Sequence, residues 1–170
     1  TTNGILEGAY LAFINYIQRQ LKKGTQGTAQ TIAVFCNLDY NGIYTPHLLI
    51  LLQKKNYSKE QIKKAFNVAF AKLIRKKSKG HSTSLFILLD IRLKNIWILS
   101  SIEKLLWQTY LAAASERNVD ILRRVWLRAR KLNADKETLH LIYSTWRGFA
   151  EPQRQLTQPN ASNALERHAR

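Results

Sequence analysis

The stretch from Tyr57 to Gly80 constrains the fold most, because it carries a complete set of helix signals. Ser58 and Gln61 have the spacing of a capping box, in which each side chain bonds the backbone N–H of the other residue. Gly80 is a typical residue just beyond a helix end. The apolar residues of the stretch recur at helical spacing and are Ile62, Phe66, Ala69, Phe70 and Leu73. The sequence therefore predicts a helix that packs this apolar face against other elements.

The remaining faces of this predicted helix are strongly basic. Residues 57–80 contain eight Lys and Arg against a single acid, Glu60, in a chain of 170 residues with a net charge of +16. Residues 134–170, by contrast, contain five Lys and Arg against four acids. Because the excess charge lies in the middle of the chain, it favours a folded surface that binds a polyanion over a basic tail.

Helix signals along the rest of the chain predict an all-α, single-domain bundle of six or seven helices. A chain of this length can bury a sufficient core without disulfides or metals. The other expected helices are 5–23, 28–38, 46–55, 85–116 as one helix or as two meeting near Ser100-Ser101, 119–132 after an Asn118 cap, and 136–150 after an Asp135 cap. We expect residues 1–150 to form the helical domain. Residues 151–170 contain two prolines and little apolar content, which predicts a flexible, extended tail.

Residues 28–38 are the ambiguous segment. They contain β-branched and aromatic residues, and Asn41-Gly42 beyond them is a hairpin signal. The chain after Gly42 is soon interrupted by Pro46, which leaves no second strand of useful length. We therefore predict a helix over 28–38.

The predicted helix 119–132 carries a second set of cations, mostly arginines, whose forked guanidinium groups suit phosphate oxygens. Solvation alone could explain both basic faces. However, few acids lie near them in sequence, among them Glu60, Glu116 and Asp120, and self-repulsion of this size destabilises a fold unless a polyanion relieves it. We predict that the nucleic-acid contacts are made by Lys63, Lys64, Lys72, Arg75, Lys76, Lys79, Arg123, Arg124, Arg128 and Lys131.

Aromatic residues could stack on bases, but most of them have helical spacing with other apolar residues. Core packing is therefore expected for Trp97, Trp107, Trp126 and Trp146. The better stacking candidates lie near predicted loops and are Tyr40, Tyr44 and Tyr57.

No motif for catalysis stands out. The sequence lacks a glycine-rich phosphate loop, HExxH, CxxC and a nucleophile elbow, so we expect no catalytic residue, cofactor or metal. Arg75 and His81 resemble the Arg–polar–His motif of HEPN-domain ribonucleases, although Lys76 stands where a polar residue is usual. This resemblance implies RNA cleavage by Arg75 and His81 as an alternative; otherwise His81 simply begins a loop.

The single cysteine and the hydropathy pattern bear on the compartment. Cys36 lies in an apolar run and cannot form an internal disulfide, which suggests a buried thiol in a reducing, cytoplasmic setting. Apolar runs such as Leu85–Leu89 are far too short to span a membrane. We therefore expect no membrane partner.

In size, helicity and charge placement the chain resembles the small subunits of CRISPR effector complexes, which line the path of the target duplex or displaced strand. The resemblance covers the whole chain and rests on architecture. It implies a non-catalytic subunit in antiviral defence, with a DNA or RNA backbone and other protein subunits as partners. A self-assembling viral nucleocapsid or coat protein is the alternative, and self-association would distinguish the two, because a coat protein polymerises alone whereas a complex subunit needs its neighbours.

Overall fold

The computed structural model describes residues 2–23, 28–75 and 81–157, and within these ranges the chain forms eight α-helices and no strand. The helices are α1 Thr2–Lys23, α2 Thr28–Leu38, α3 Thr45–Lys54, α4 Lys59–Arg75, α5 Ser82–Lys94, α6 Ile102–Glu116, α7 Val119–Lys131 and α8 Lys136–Thr157. The all-α prediction is confirmed. The expected number of six or seven helices was too low: the predicted ranges make eight when residues 85–116 count as two helices, as they do in the structure.

A short loop, residues 95–101, separates α5 from α6. Asn95 ends α5 in an extended conformation, and its side-chain amide donates to the Ile91 carbonyl at 2.7 Å. The Ser101 hydroxyl then accepts the Lys104 backbone N–H at 3.2 Å and caps α6. Polar side chains at both ends thus stabilise the break that the Ser100-Ser101 pair suggested.

The ambiguous segment 28–38 is helical, as predicted, and Asp39 explains why the following turn does not start a hairpin. The Asp39 carboxylate accepts hydrogen bonds from the backbone N–H of Tyr44 and Thr45 and from the Thr45 hydroxyl, at 3.0, 2.7 and 2.6 Å. These bonds direct the chain into α3. Gly42 lies inside the turn with φ +76, in the left-handed region that glycine tolerates best.

The core is built around α5, which contacts α3, α4, α6 and α7. Its sides are apolar nearly all round, as expected of a central helix, and its buried residues include Leu85, Phe86, Leu88, Leu89 and Ile91. The apolar face predicted for the helix after Ser58 is confirmed, because all five of its residues are buried. That face turns α4 inward and leaves its basic residues at the sides and outside.

Glu116 joins the end of α6 to the start of α5. Its carboxylate accepts the backbone N–H of His81 at 2.6 Å and of Ser82 at 3.0 Å, together with the Ser82 hydroxyl. A carboxylate at a helix N-terminus satisfies unpaired donors and complements the helix dipole. An acid that the sequence placed near the basic surface therefore serves the fold.

Residues 118–157 form the last two helices, and both predicted caps are present. Asn118 accepts the Ile121 N–H at 3.2 Å, and Asp135 accepts the Thr138 N–H at 3.0 Å. The prediction of a loose tail from residue 151 is wrong for 151–157, because α8 continues through Pro152 to Thr157. Arg147 and Glu151 lie one helical turn apart, with Nε 2.8 Å from Oε1, and support the helix up to residue 151. Residues 158–170 of the predicted tail lie outside the described residues.

The expectation that the tryptophans pack in the core holds only in part. Trp97, Trp126 and Trp146 are half-buried against the core, whereas Trp107 on α6 is 45% exposed. Helical spacing alone does not distinguish these positions, because α6 is apolar on more than one face.

Candidate nucleic-acid interface

Helix α7 carries five cations in 13 residues, on the sides that face away from the core. Its buried residues are Ile121, Leu122, Val125 and Ala129, so the helix is held along one side. The cations occupy the remaining sides and are Arg123, Arg124, Arg128, Arg130 and Lys131. All are exposed except Arg128, which is half-buried.

Arg128 is engaged with α5. Its guanidinium donates to both carboxylate oxygens of Asp90, from Nε at 2.7 Å and from Nη2 at 3.2 Å, and lies 5.3 Å from the centre of the Phe86 ring. The hydrogen bond with Asp90 raises the pKa of Arg128. Arg128, one of the predicted nucleic-acid contacts, is therefore paired with a carboxylate of the central helix.

Arg124 is held more weakly. Its Nε lies 3.3 Å from Asp120, one helical turn earlier, and both side chains are more than half exposed. Its guanidinium also lies 5.8 Å from the Phe86 ring centre. An exposed pair of this kind contributes little to stability. Arg124 can therefore exchange Asp120 for a phosphate at small cost.

The other three cations of α7 take part in none of the ion pairs that Arg124, Arg128 and Arg147 form in the described part of the chain. Arg123 and Lys131 are exposed. Arg130 is exposed as well, and its guanidinium lies 4.9 Å from the ring centre of Trp126, which in turn packs against Tyr143. Arg130 was not among the predicted contact residues, although its position one turn after a tryptophan was a usable signal.

The predicted contact residues on α4 are less uniform. Lys64 and Arg75 are exposed, and Lys63 is half-buried at the side of the helix. Between Lys64 and Arg75 the exposed surface carries Val68, which is 42% exposed, and Ala71. The outer face of α4 is thus basic at two points with uncharged residues between them.

Lys72 has a structural role. Its ammonium donates to the carbonyl oxygens of Cys36 at 2.5 Å and of Asp39 at 3.0 Å, where α2 ends. Cations suit this position, because the last carbonyls of a helix lack partners and carry partial negative charge. Lys72 therefore ties α4 to α2 and is not available to a phosphate without breaking those bonds.

The remaining predicted contacts on this stretch, Lys76 and Lys79, lie outside the described residues. Both basic helices pack against the central helix, since α5 contacts α4 and α7. The site that the structure assembles most completely is the outer side of α7.

The tyrosines proposed for stacking differ in exposure. Tyr40 is 68% exposed in the turn after α2. Tyr44 is half-buried and stacks on Tyr10 at 4.8 Å between ring centres, and Tyr57 is half-buried against the core. Only Tyr40 among them therefore presents most of its ring to solvent.

The two residues of the proposed ribonuclease motif differ strongly in exposure. Arg75 is exposed at the end of α4, whereas only 4% of His81 is exposed. The Cys36 thiol is also buried, and burial raises its pKa, which disfavours the reactive thiolate. Among the described residues no group of three or more His, Cys, Asp and Glu is placed to hold a metal ion. No helix in the described ranges has the length and apolarity to cross a membrane.

Comparison with known proteins found no family model, no curated protein and no solved structure that matches this chain.

Proposed function

We propose that this protein binds the backbone of DNA or RNA independently of base sequence, as a non-catalytic subunit of a nucleoprotein assembly. The observation that carries the proposal is the outer side of α7, where Arg123, Arg130 and Lys131 are exposed and take no part in the ion pairs of the described residues. A capped helix packed on the core holds them in place. Phosphates would meet a surface that is already formed.

The chemistry of the side chains favours the backbone over the bases. Arginine offers several N–H donors in a plane that matches two phosphate oxygens, and lysine acts as a point charge. Contacts to phosphate position a protein on nucleic acid but carry no sequence information. The proposal includes the type of assembly, a CRISPR effector complex. We infer it from the resemblance of this chain to the small subunits of such complexes in size and charge.

The test is a salt series with the full-length protein and labelled DNA and RNA oligonucleotides of unrelated sequence. Removing one phosphate contact should lower the slope of log affinity against log salt by roughly 0.7 to 0.9. The variant Arg123→Ala with Lys131→Ala should reduce the slope by about 1.5 for every sequence, if each side chain holds one phosphate.

The matched control is Lys54→Ala with Lys55→Ala, which removes the same charge from exposed positions at the end of α3. This control variant should keep most of the wild-type slope of log affinity against log salt. Affinity that does not depend on salt, or equal losses in the two double variants, would show that α7 is not the contact surface.

A further inference from the structure

The loop between α5 and α6 exposes two large aliphatic side chains. Ile96 is 85% exposed and Leu99 is 78% exposed, the highest values among the large apolar residues of the described chain. Single exposed aliphatics are common on protein surfaces, but two on one short loop form an apolar projection. We refer to residues 95–101 as the 95–101 loop.

The conformation of this loop is held by the residues between and beside the exposed pair. Ile98 is fully buried and anchors the middle of the loop. Arg92 donates from Nε to the Ser100 carbonyl at 2.8 Å, and Ile98 donates its N–H to the Asn95 carbonyl at 3.2 Å. Ile96 and Leu99 are therefore presented by an ordered backbone, and little entropy is lost if they enter a partner.

An open groove lies next to the loop, between α6, α8 and the turn that joins α7 to α8. It has a volume of about 660 Å³ and is lined by residues that include Trp107, Tyr110, Leu132 and Ile142. Trp107 is 45% exposed and Leu132 is 39% exposed, so its apolar walls face solvent. Clefts of ~300–1,000 Å³ hold ligands as large as a drug molecule. We refer to this site as the α6–α8 groove.

The loop and the groove have opposite charges beside their apolar parts. The loop is flanked by Lys94, which is exposed, and by Lys59, whose ammonium lies 5.7 Å from the Trp97 ring centre. The groove is lined by Glu103 and Asp135, in a chain whose net charge is +16. Hydrogen bonds from the Thr138 side chain and backbone lower the pKa of Asp135, which keeps this carboxylate charged. Lys104 follows Glu103 but lies over the Phe70 ring, outside the groove.

The loop cannot fill the groove of its own chain. Leu99 is only three residues before Ile102, which lines the groove, and the bonds at Ser100 and Ser101 hold the intervening backbone. A projection and a matching groove side by side on one surface have the arrangement of an isologous interface, in which each subunit gives and receives the same contact.

We propose that two copies of this chain associate about a two-fold axis, with Ile96 and Leu99 of each copy in the α6–α8 groove of the other. Lys94 of each copy then faces Glu103 and Asp135 of the other. This proposal does not rest on nucleic-acid binding, because it uses residues outside the cations of α7.

The experiment is light scattering after size exclusion, with nuclease-treated full-length protein at several concentrations. We expect a species of twice the 19.7 kDa chain mass at the higher concentrations. Leu99→Asp should give a monomer, because a charge at this position opposes burial. Trp107→Ala should also give a monomer, because it removes a wall of the groove. Leu38→Asp is the matched control, since Leu38 is 59% exposed at the end of α2, and it should leave the dimer intact.

Mixing the two monomeric variants separates this interface from a general loss of association. The intact loop of the Trp107 variant can enter the intact groove of the Leu99 variant, so the mixture should regain a dimer with one of its two contacts. A monomeric wild type at every concentration, a dimer that survives Leu99→Asp or Trp107→Ala, or an open-ended polymer in place of a dimer would overturn the proposal. Circular dichroism of each variant confirms that its helices are retained.

Discussion

Arg128 on α7 and Asp90 on α5 form a two-point ion pair, with donor–acceptor distances of 2.7 and 3.2 Å. About 30% of the Arg128 side chain and 26% of the Asp90 side chain remain exposed. Phe86, one turn before Asp90, lies beneath the guanidinium. The pair joins the basic helix to the central helix of the core, so one arginine of the candidate interface contributes to the fold.

The first prediction concerns this pair. Arg128→Ala should lower the free energy of unfolding by about 1–2 kcal/mol, because it leaves a half-buried carboxylate without its charged partner. Arg123→Ala removes the same charge from an exposed position on the same helix and should change stability by less than about 0.5 kcal/mol. Urea unfolding followed by circular dichroism measures both. Equal unfolding midpoints for the two variants would contradict the structural role of Arg128.

Lys72 is a second predicted contact residue with a structural role. Lys72→Met should destabilise the protein by about 1–3 kcal/mol, because the carbonyls of Cys36 and Asp39 lose a charged donor. Its effect on the salt slope of nucleic-acid binding should be small. Lys64→Met, at an exposed position of α4, is the control and should leave the urea midpoint unchanged. If the Lys72→Met variant is as stable as the wild type and has a reduced salt slope, Lys72 contacts the nucleic acid and has no structural role.

These two residues show where prediction from sequence ends. Local signals identified the helices, and the Asn118 and Asp135 caps lie where their spacing placed them. The partners of Arg128 and Lys72 are more than 30 positions away in the chain. No local pattern relates such residues, because their contact depends on how the helices pack. A cation that the sequence places on the outer face of a helix can therefore bond to a neighbouring helix instead of facing solvent.

The same limit applies to α8 and to Trp107. Pro152 and the polar composition after it predicted the end of the helix, since proline lacks a donor and disfavours helix interiors. The Arg147–Glu151 pair supports the turn of the helix directly before that position. Trp107 has the spacing of a core residue, yet it forms part of the α6–α8 groove. Apolar residues on two faces of α6 left its orientation open.

Gly42 supports a further prediction about stability. Gly42→Ala should cost more than about 2 kcal/mol, because φ +76 is strained for other residues and a Cβ there would lie 2.8 Å from the Ala69 carbonyl oxygen. That oxygen belongs to the backbone of α4 and cannot easily move. Gly148→Ala is the control, since an added Cβ meets no atom within 4 Å, and it should stabilise α8 by about 0.5–1 kcal/mol. Thermal unfolding that ranks the two variants in the opposite order would refute this account.

His47 gives the fold a pH dependence. Burial lowers the pKa of His47, with Asp39 opposing the shift, so the folded state favours the neutral ring. The unfolded state takes up its proton near pH 6.5, and the free energy of unfolding should therefore fall as the pH drops below about 6.5. His47→Gln should reduce this loss between about pH 7.5 and about pH 5.5. His140→Gln, at an exposed position on α8, should keep the wild-type dependence. Identical pH profiles for wild type and His47→Gln would remove His47 as the cause.

The last prediction compares the two basic helices at equal charge. Arg124→Glu with Arg130→Glu reverses two exposed cations of α7, and Lys64→Glu with Arg75→Glu reverses two of α4. Removing one phosphate contact should cost about tenfold in affinity near 0.1 M salt, with added repulsion from the new carboxylates. We expect the larger decrease for the α7 variant, because the α4 pair is separated by Val68 and Ala71 and provides no continuous row of cations. Fluorescence anisotropy at several salt concentrations measures both affinities. If the two variants weaken binding equally, the nucleic acid contacts α4 as closely as α7, and if the α4 variant weakens it more, the main contact surface lies on α4.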